Sequence, residues 1–256
     1  MTRERKIAFF SVALFLSIAV GLYFYGRIGQ PSGYHRFAEM RPLWGIPNSL
    51  NVVSNLAFWY AAWYGLMCYF VTRDKHAHAD GNGALIALIV GAAATGLGSA
   101  YYHAFPSNES LVWDRIPMTI CFAAIFAEFI AIHVSEKKAK LYLIPLVVSG
   151  IATVLYWKWS GLHGADDLRP YVMVQFFPLL LIPAVALFFP IKQRHSPLWT
   201  KALLWYACAK VLEHFDQPIF AITSGTVSGH TLKHIASGIA VLYALRGMYE
   251  RRQHHK

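Results

Sequence analysis

Apolar runs of about twenty residues recur along the chain, separated by short polar connections. They fall at roughly 7–26, 50–71, 83–103, 111–133, 141–159, 171–190, 198–220 and 231–249. Each is long enough to cross the hydrocarbon of a bilayer as an α-helix. In lipid the backbone polar groups must be satisfied within the segment, and a helix does this. The pattern predicts an all-α, polytopic membrane bundle of seven helices preceded by one extra N-terminal transmembrane helix. Short connections make consecutive helices antiparallel neighbours. The small-residue stretch Gly91–Ala100 predicts a helix packed closely against its neighbours.

Composition agrees with that pattern. The 256 residues are 56% hydrophobic and only 14% charged, against about a quarter charged in soluble domains. A net charge of +10 could suggest a nucleic-acid partner. The basic residues, however, lie between the apolar runs, so the partner they point to is the bilayer and not nucleic acid. With the N-terminus inside, alternate connections carry Arg3, Arg5, Lys6, Arg73, Lys75, Lys137, Lys138, Lys140, Lys192, Arg194, Arg246, Arg251, Arg252 and Lys256. The opposite connections carry Arg27, Arg36, Arg41 and Arg169. Fourteen against four predicts eight crossings with both termini cytoplasmic.

The first run could be a cleaved signal peptide, but it is long and lacks a small-x-small cleavage site. A retained, signal-anchor-like helix within residues 1–30 is expected, with 31–256 forming the remainder. Cleavage would leave the other seven in the same orientation. Trp157, Lys158 and Trp159 suit an interfacial belt. Cys68, Cys121 and Cys208 all lie in apolar runs and are expected to be buried, unpaired small residues.

Ionisable groups inside apolar runs are costly, and they mark function by default. His230 and His234 are one helical turn apart at the start of the last run, and Ser99 and His103 share a face near the end of the third. Asp114 opens the next run. The charge count brings all five to the extracytoplasmic end of their segments. Three neutral imidazoles can hold a metal and leave a fourth position for water, as hydrolytic zinc sites require. Lys210, Glu213, His214 and Asp216 form a polar group at the same depth. Glu213 or Asp216 could accept the second N–H of a ligand imidazole, or join Lys210 in an ion-pair network. Lys233 is expected to point away from the ligand histidines, toward the interface or an acidic neighbour. His76, His78, His195, His254 and His255 read as solvated, His133 as too deep, and His35 and His163 as loop residues.

At these positions the chain resembles the alkaline ceramidase family, within a superfamily of seven-helix membrane hydrolases and receptors. Three blocks carry the resemblance: Asn51-x-x-Ser54-Asn55; Ser99-x-x-x-His103 followed by Asp114 and Pro117-Met118; and His230-x-x-x-His234. In order and spacing they span nearly the whole chain. The resemblance implies a seven-helix core with 7–26 as an addition, and a zinc site of His103, His230 and His234 beside Ser99 and Asp114. It implies hydrolysis of the N-acyl bond of ceramide or a similar lipid to a fatty acid and an amine. Zinc-bound hydroxide would be the nucleophile, Asp114 the proton acceptor and donor, and Ser99 the oxyanion donor or the group that orients the nucleophile. Eukaryotic relatives bind calcium through acidic residues before the first core helix. This chain offers only Glu39, with Asn48 and Asn51, which argues against calcium and leaves a structural polar site as the other reading. The same layout occurs in progestin and adiponectin receptors, so a membrane receptor or lipid sensor is the alternative. Only six residues precede the first run, which favours the enzyme. A metal transporter would place its polar groups at successive depths.

Overall fold

The computed structural model of the protein describes residues 1–43, 45–73, 82–189 and 197–254. His76, His78, His195 and His255, and the side chain of His254, lie outside the described residues. Among the described residues all regular structure is helical: α1 (Arg3–Tyr25), α2 (Ser49–Val53), α3 (Leu56–Arg73), α4 (Gly83–Ala104), α5 (Asn108–His133), α6 (Glu136–Leu162), α7 (Arg169–Phe188), α8 (Pro197–His214), α9 (Asp216–Ile222) and α10 (Gly229–His254). The protein is all-α.

Two apolar runs expected as single helices are broken. The run at 50–71 divides into α2 and α3 because Asn55 Nδ2 donates to the carbonyls of Asn51 (2.8 Å) and Val52 (3.3 Å), and Ser54 Oγ donates to Asn51 O (3.1 Å). These short-range bonds compete with the helical ladder. The run at 198–220 divides into α8 and α9 because Pro218 has no N–H and its ring crowds the carbonyl four residues back, at His214, where α8 ends.

Among the described residues α1, α4, α5, α6 and α7 are long and apolar enough to cross a membrane. These five helices mark a multi-pass membrane protein. In α8 and α10 the polar residues considered below, Lys210, Glu213, His230 and Lys233, lower the hydropathy.

The chain divides into two compact units, Met1–Pro31 with Thr119–His195, and Ser32–Met118 with Ser196–Lys256. In the first, α7 packs against α1 and α6. Ile7, Phe129, Phe177, Leu181 and Val185 form its core. Most of α1 stays exposed, including Phe9, Val12, Leu16 and Val20, as a lipid-facing helix requires. Trp157, assigned to an interfacial belt from sequence, is instead buried, whereas Trp159 is exposed. Residues two apart on a helix point to nearly opposite faces, so the two cannot share a belt. Asp167 accepts the Arg169 fork at 2.9 and 2.7 Å. Burial pushes the Asp167 carboxyl up, but the Arg169 bonds outweigh this and hold it below the usual carboxylate range.

In the second unit α10 is the central helix, packed against α8, α3, α4, α9 and α2. The small-residue stretch of α4 is closely packed, with Gly91, Ala92, Thr95, Gly96, Gly98 and Ser99 buried. None of the three cysteines forms a disulfide; of the burial expected for all three, Cys121 is buried, Cys68 is half-buried, and Cys208 is exposed on α8.

Candidate metal centre

The last turns of α4 carry Ser99 and His103, the first turns of α5 carry Asp114, and the first turns of α10 carry His230 and His234. All five lie in the second unit. One ring nitrogen from each of His103, His230 and His234 can be chosen so that all three lie within 4.8 Å of one another. The ring centroids form a nearly equilateral triangle with sides of 4.7, 4.8 and 4.9 Å. His103 is fully buried and the other two nearly so.

These nitrogens fit a metal. His103 Nε2 and His230 Nε2 are 3.2 Å apart, close to the separation of about 3.3 Å between two nitrogens on one tetrahedral zinc with bonds of about 2.0–2.1 Å. Ser54 Oγ has one proton, which it donates to Asn51 O, so it accepts from His234 Nδ1 at 2.8 Å. That assigns the proton of His234 to Nδ1 and leaves the Nε2 lone pair facing the cluster. His234 Nε2 is buried and has no hydrogen-bond partner among the described residues. An imidazole nitrogen left so in a protein interior is costly unless it binds something.

The surrounding segments hold the triangle in place. Asn51 Oδ1 accepts from Thr231 Oγ1 at 2.8 Å, and Ser228 Oγ accepts from Thr231 N at 3.0 Å, fixing the start of α10. Asn48, in the left-handed region at φ 47°, donates to His103 O at 2.7 Å and satisfies a free carbonyl at the end of α4. Phe37 is buried, with its ring centroid 4.6 Å from His103 and 4.9 Å from His230. It forms an apolar wall over two of the imidazoles.

Asp216 sits outside this triangle and supports it. Oδ1 accepts from the backbone N–H of His230 at 2.7 Å and Oδ2 from that of Ala38 at 2.9 Å. The carboxylate therefore caps α10 and ties down the segment carrying Phe37, and it reaches no ligand imidazole. Gly229 makes this approach possible, since a Cβ there would lie 2.2 Å from Leu212 O and 2.8 Å from Asp216 Cα. Replacing Asp216 with Ala removes two bonds to a charged acceptor at once. A loss of about 2–4 kcal/mol is expected, read as a lowered midpoint of thermal unfolding in detergent. An unchanged midpoint would show that the cap contributes nothing.

Ser99 and Asp114 are brought together. The Ser99 hydroxyl lies within hydrogen-bonding reach of the Asp114 carboxylate. Gly98 sets the separation of the two helices, because a Cβ there would lie 1.9 Å from Trp113 O. Glu213 is held in an ion-pair network. Lys210 Nζ donates to Oε2, and Lys233 Nζ donates to Oε1 at 2.9 Å. Of the two readings for Glu213, the structure gives the ion pairs. Lys233 also corrects the sequence expectation. It pairs with an acidic neighbour as expected, but it points into the site, its Nζ 3.1 Å from His230 Nε2.

Glu39 and Asn51 are tied into local hydrogen bonds. Arg41 takes both oxygens of the fully buried Glu39 with its guanidinium, and its backbone N–H donates to Oε1 at 2.8 Å. Asn51 Nδ2 donates to Glu39 O at 3.3 Å, while its oxygen is taken by Thr231. His35 bridges Tyr102 and Asn108 at 2.9 and 3.1 Å.

Sequence reasoning missed Phe37, Ser54 and the inward aim of Lys233. Ser54 lies in the Asn51-x-x-Ser54-Asn55 block, so its motif was visible while its contact with His234 was not. Phe37 carries no sequence signal.

A family model described as Ceramidase matches residues 45–195, more than half of the chain. The chain belongs to the ceramidase family. Membership supports hydrolysis of the amide bond of ceramide and a lipid substrate. No curated protein matches the chain. The matched stretch of this ceramidase-family protein includes the Asn51 block, Ser99, His103 and Asp114. His230, Lys233 and His234 lie beyond it and meet His103 through the packing of α10 on α4.

Proposed function

We propose that this protein is a membrane-embedded, zinc-dependent amidase that cleaves the N-acyl bond of ceramide or a similar lipid, releasing a fatty acid and an amine. The observation that carries the reading is the convergence of three buried imidazoles, with Ser99 one helical turn from His103 and within reach of Asp114. His103, His230 and His234 hold the metal. Bound there, zinc supplies Lewis acidity and a water acidified toward neutral pH. Asp114 accepts the proton of the attacking water and returns it to the leaving nitrogen. Ser99 orients the Asp114 carboxylate. Phe37 keeps bulk water from two of the imidazoles, which strengthens every charge interaction inside.

The basic-residue asymmetry supports a site near the extracytoplasmic face with both termini cytoplasmic. All the residues named lie beyond residue 30, so residues 31–256 carry the chemistry and the helix within 1–30 is an addition to it.

Metal analysis of the purified protein, joined to incubation with a panel of N-acyl lipids and measurement of free fatty acid, tests the reading. About one zinc per chain and release from at least one lipid are expected. Bound zinc with no release from any amide favours the receptor or lipid-sensor alternative.

A further inference from the structure

In the mechanism above, the one hydroxyl proton of Ser99 is directed to the Asp114 carboxylate. An amide carbonyl attacked at the cluster therefore needs another donor for the oxygen that becomes an anion. The Lys233 ammonium has three N–H donors. One is held by Glu213 Oε1 at 2.9 Å, and another faces His230 Nε2 at 3.1 Å, on the ligand side of the histidine triangle. Glu213 is fixed in turn by Lys210 on α8, so the ammonium is anchored from a neighbouring helix.

We propose that Lys233 is the oxyanion donor of this site. The inference rests on the amidase reading above. When the His230 nitrogen serves as a ligand, the N–H aimed there turns to the carbonyl oxygen of the amide. As water oxygen adds to the carbonyl carbon, the C=O π pair moves onto that oxygen, and Lys233 hydrogen-bonds the resulting anion without giving up its proton. The proton released by the water goes to Asp114. Collapse re-forms C=O and breaks the C–N bond as Asp114 protonates the nitrogen. Glu213 offsets the ammonium charge beside the metal site.

The test compares Lys233→Met with Lys233→Arg, each assayed for bound zinc, for kcat and KM on the lipid that the wild type cleaves, and for palmitate affinity of the zinc-loaded protein by calorimetry. Glu213 keeps Lys210 as a partner in Lys233→Met, so no carboxylate is stranded. Expected for Lys233→Met are retained zinc, KM within a few-fold, kcat lower by about 10²–10³, and palmitate affinity lower by at least about tenfold. Lys233→Arg recovers part of the kcat. If Lys233→Met does not fold, Lys233→Gln is held to the same zinc and kcat criteria. A kcat within about threefold of wild type overturns the assignment and leaves the amidase reading standing. Loss of zinc together with kcat also overturns it, in favour of a role in shaping the ligand cluster. A wild type that binds zinc but releases no fatty acid from any lipid overturns the amidase reading and this assignment with it.

Discussion

Replacing His234 with Ala, or His103 or His230, is expected to remove bound zinc and lower lipid hydrolysis by about three orders of magnitude or more, because the described residues hold no other cluster of three potential metal ligands. The three imidazoles form one centre, so losing the second and third should add little to losing the first. A thermodynamic signature accompanies the loss. A metal that binds the folded chain stabilises it by mass action, so a chelator should lower the unfolding midpoint of the wild type. It should leave the midpoint of each histidine variant where it was. His163→Ala serves as the control, since His163 is exposed and its Nδ1 contacts Trp159 O at 2.8 Å in the other unit. Zinc analysis and unfolding with and without chelator read both effects. Stoichiometric zinc in a folded variant lacking all three histidines would refute the ligand assignment.

Much of this site is legible in the chain because its parts obey helical periodicity. Two residues four apart share a face, so Ser99 with His103 and His230 with His234 declare themselves as pairs. The cost of polar groups inside apolar runs then singles them out. The relation between elements is less legible. Lys233 is three residues from His230, a spacing that also places it on a neighbouring face, and its aim is settled by Glu213 on α8, twenty residues away in sequence. Asp216 looked like a partner for an imidazole because its depth was right. Depth does not say which donor a carboxylate reaches, and here it takes two backbone N–H groups. The helix breaks at Ser54–Asn55 and at Phe215 escaped hydropathy because both lie within apolar runs. The cause in one is side-chain competition for backbone carbonyls, and in the other it is a single proline. The apolar pattern predicts where helical stretches fall, whereas the prolines and polar side chains inside them decide where they break and which faces meet.

Asp114→Asn is expected to retain zinc and lose about 10²–10⁴ in kcat, the usual range for a positioned acid–base group. Asparagine keeps the volume and one acceptor oxygen, so the packing of α5 against Gly98 survives while proton uptake is lost. Ser99→Ala should cost much less, about tenfold, because in the proposed mechanism Ser99 acts through Asp114 and the carboxylate remains. The decisive measurement is the double variant. If Ser99 only orients Asp114, then adding Ser99→Ala to Asp114→Asn should change kcat little, since there is no longer a base to orient. If Ser99 instead donated to the oxyanion, its loss would multiply with that of Asp114, and the double variant would fall by the product of the two single effects. The same cycle with Lys233→Met separates the two donors. In the proposed mechanism Lys233 and Asp114 act on different atoms, the carbonyl oxygen and the water or amine proton. Their losses should therefore combine more nearly multiplicatively than those of Ser99 and Asp114. Single-turnover hydrolysis by the zinc-loaded variants resolves all three, and multiplicative behaviour of Ser99 with Asp114 would return the oxyanion role to Ser99.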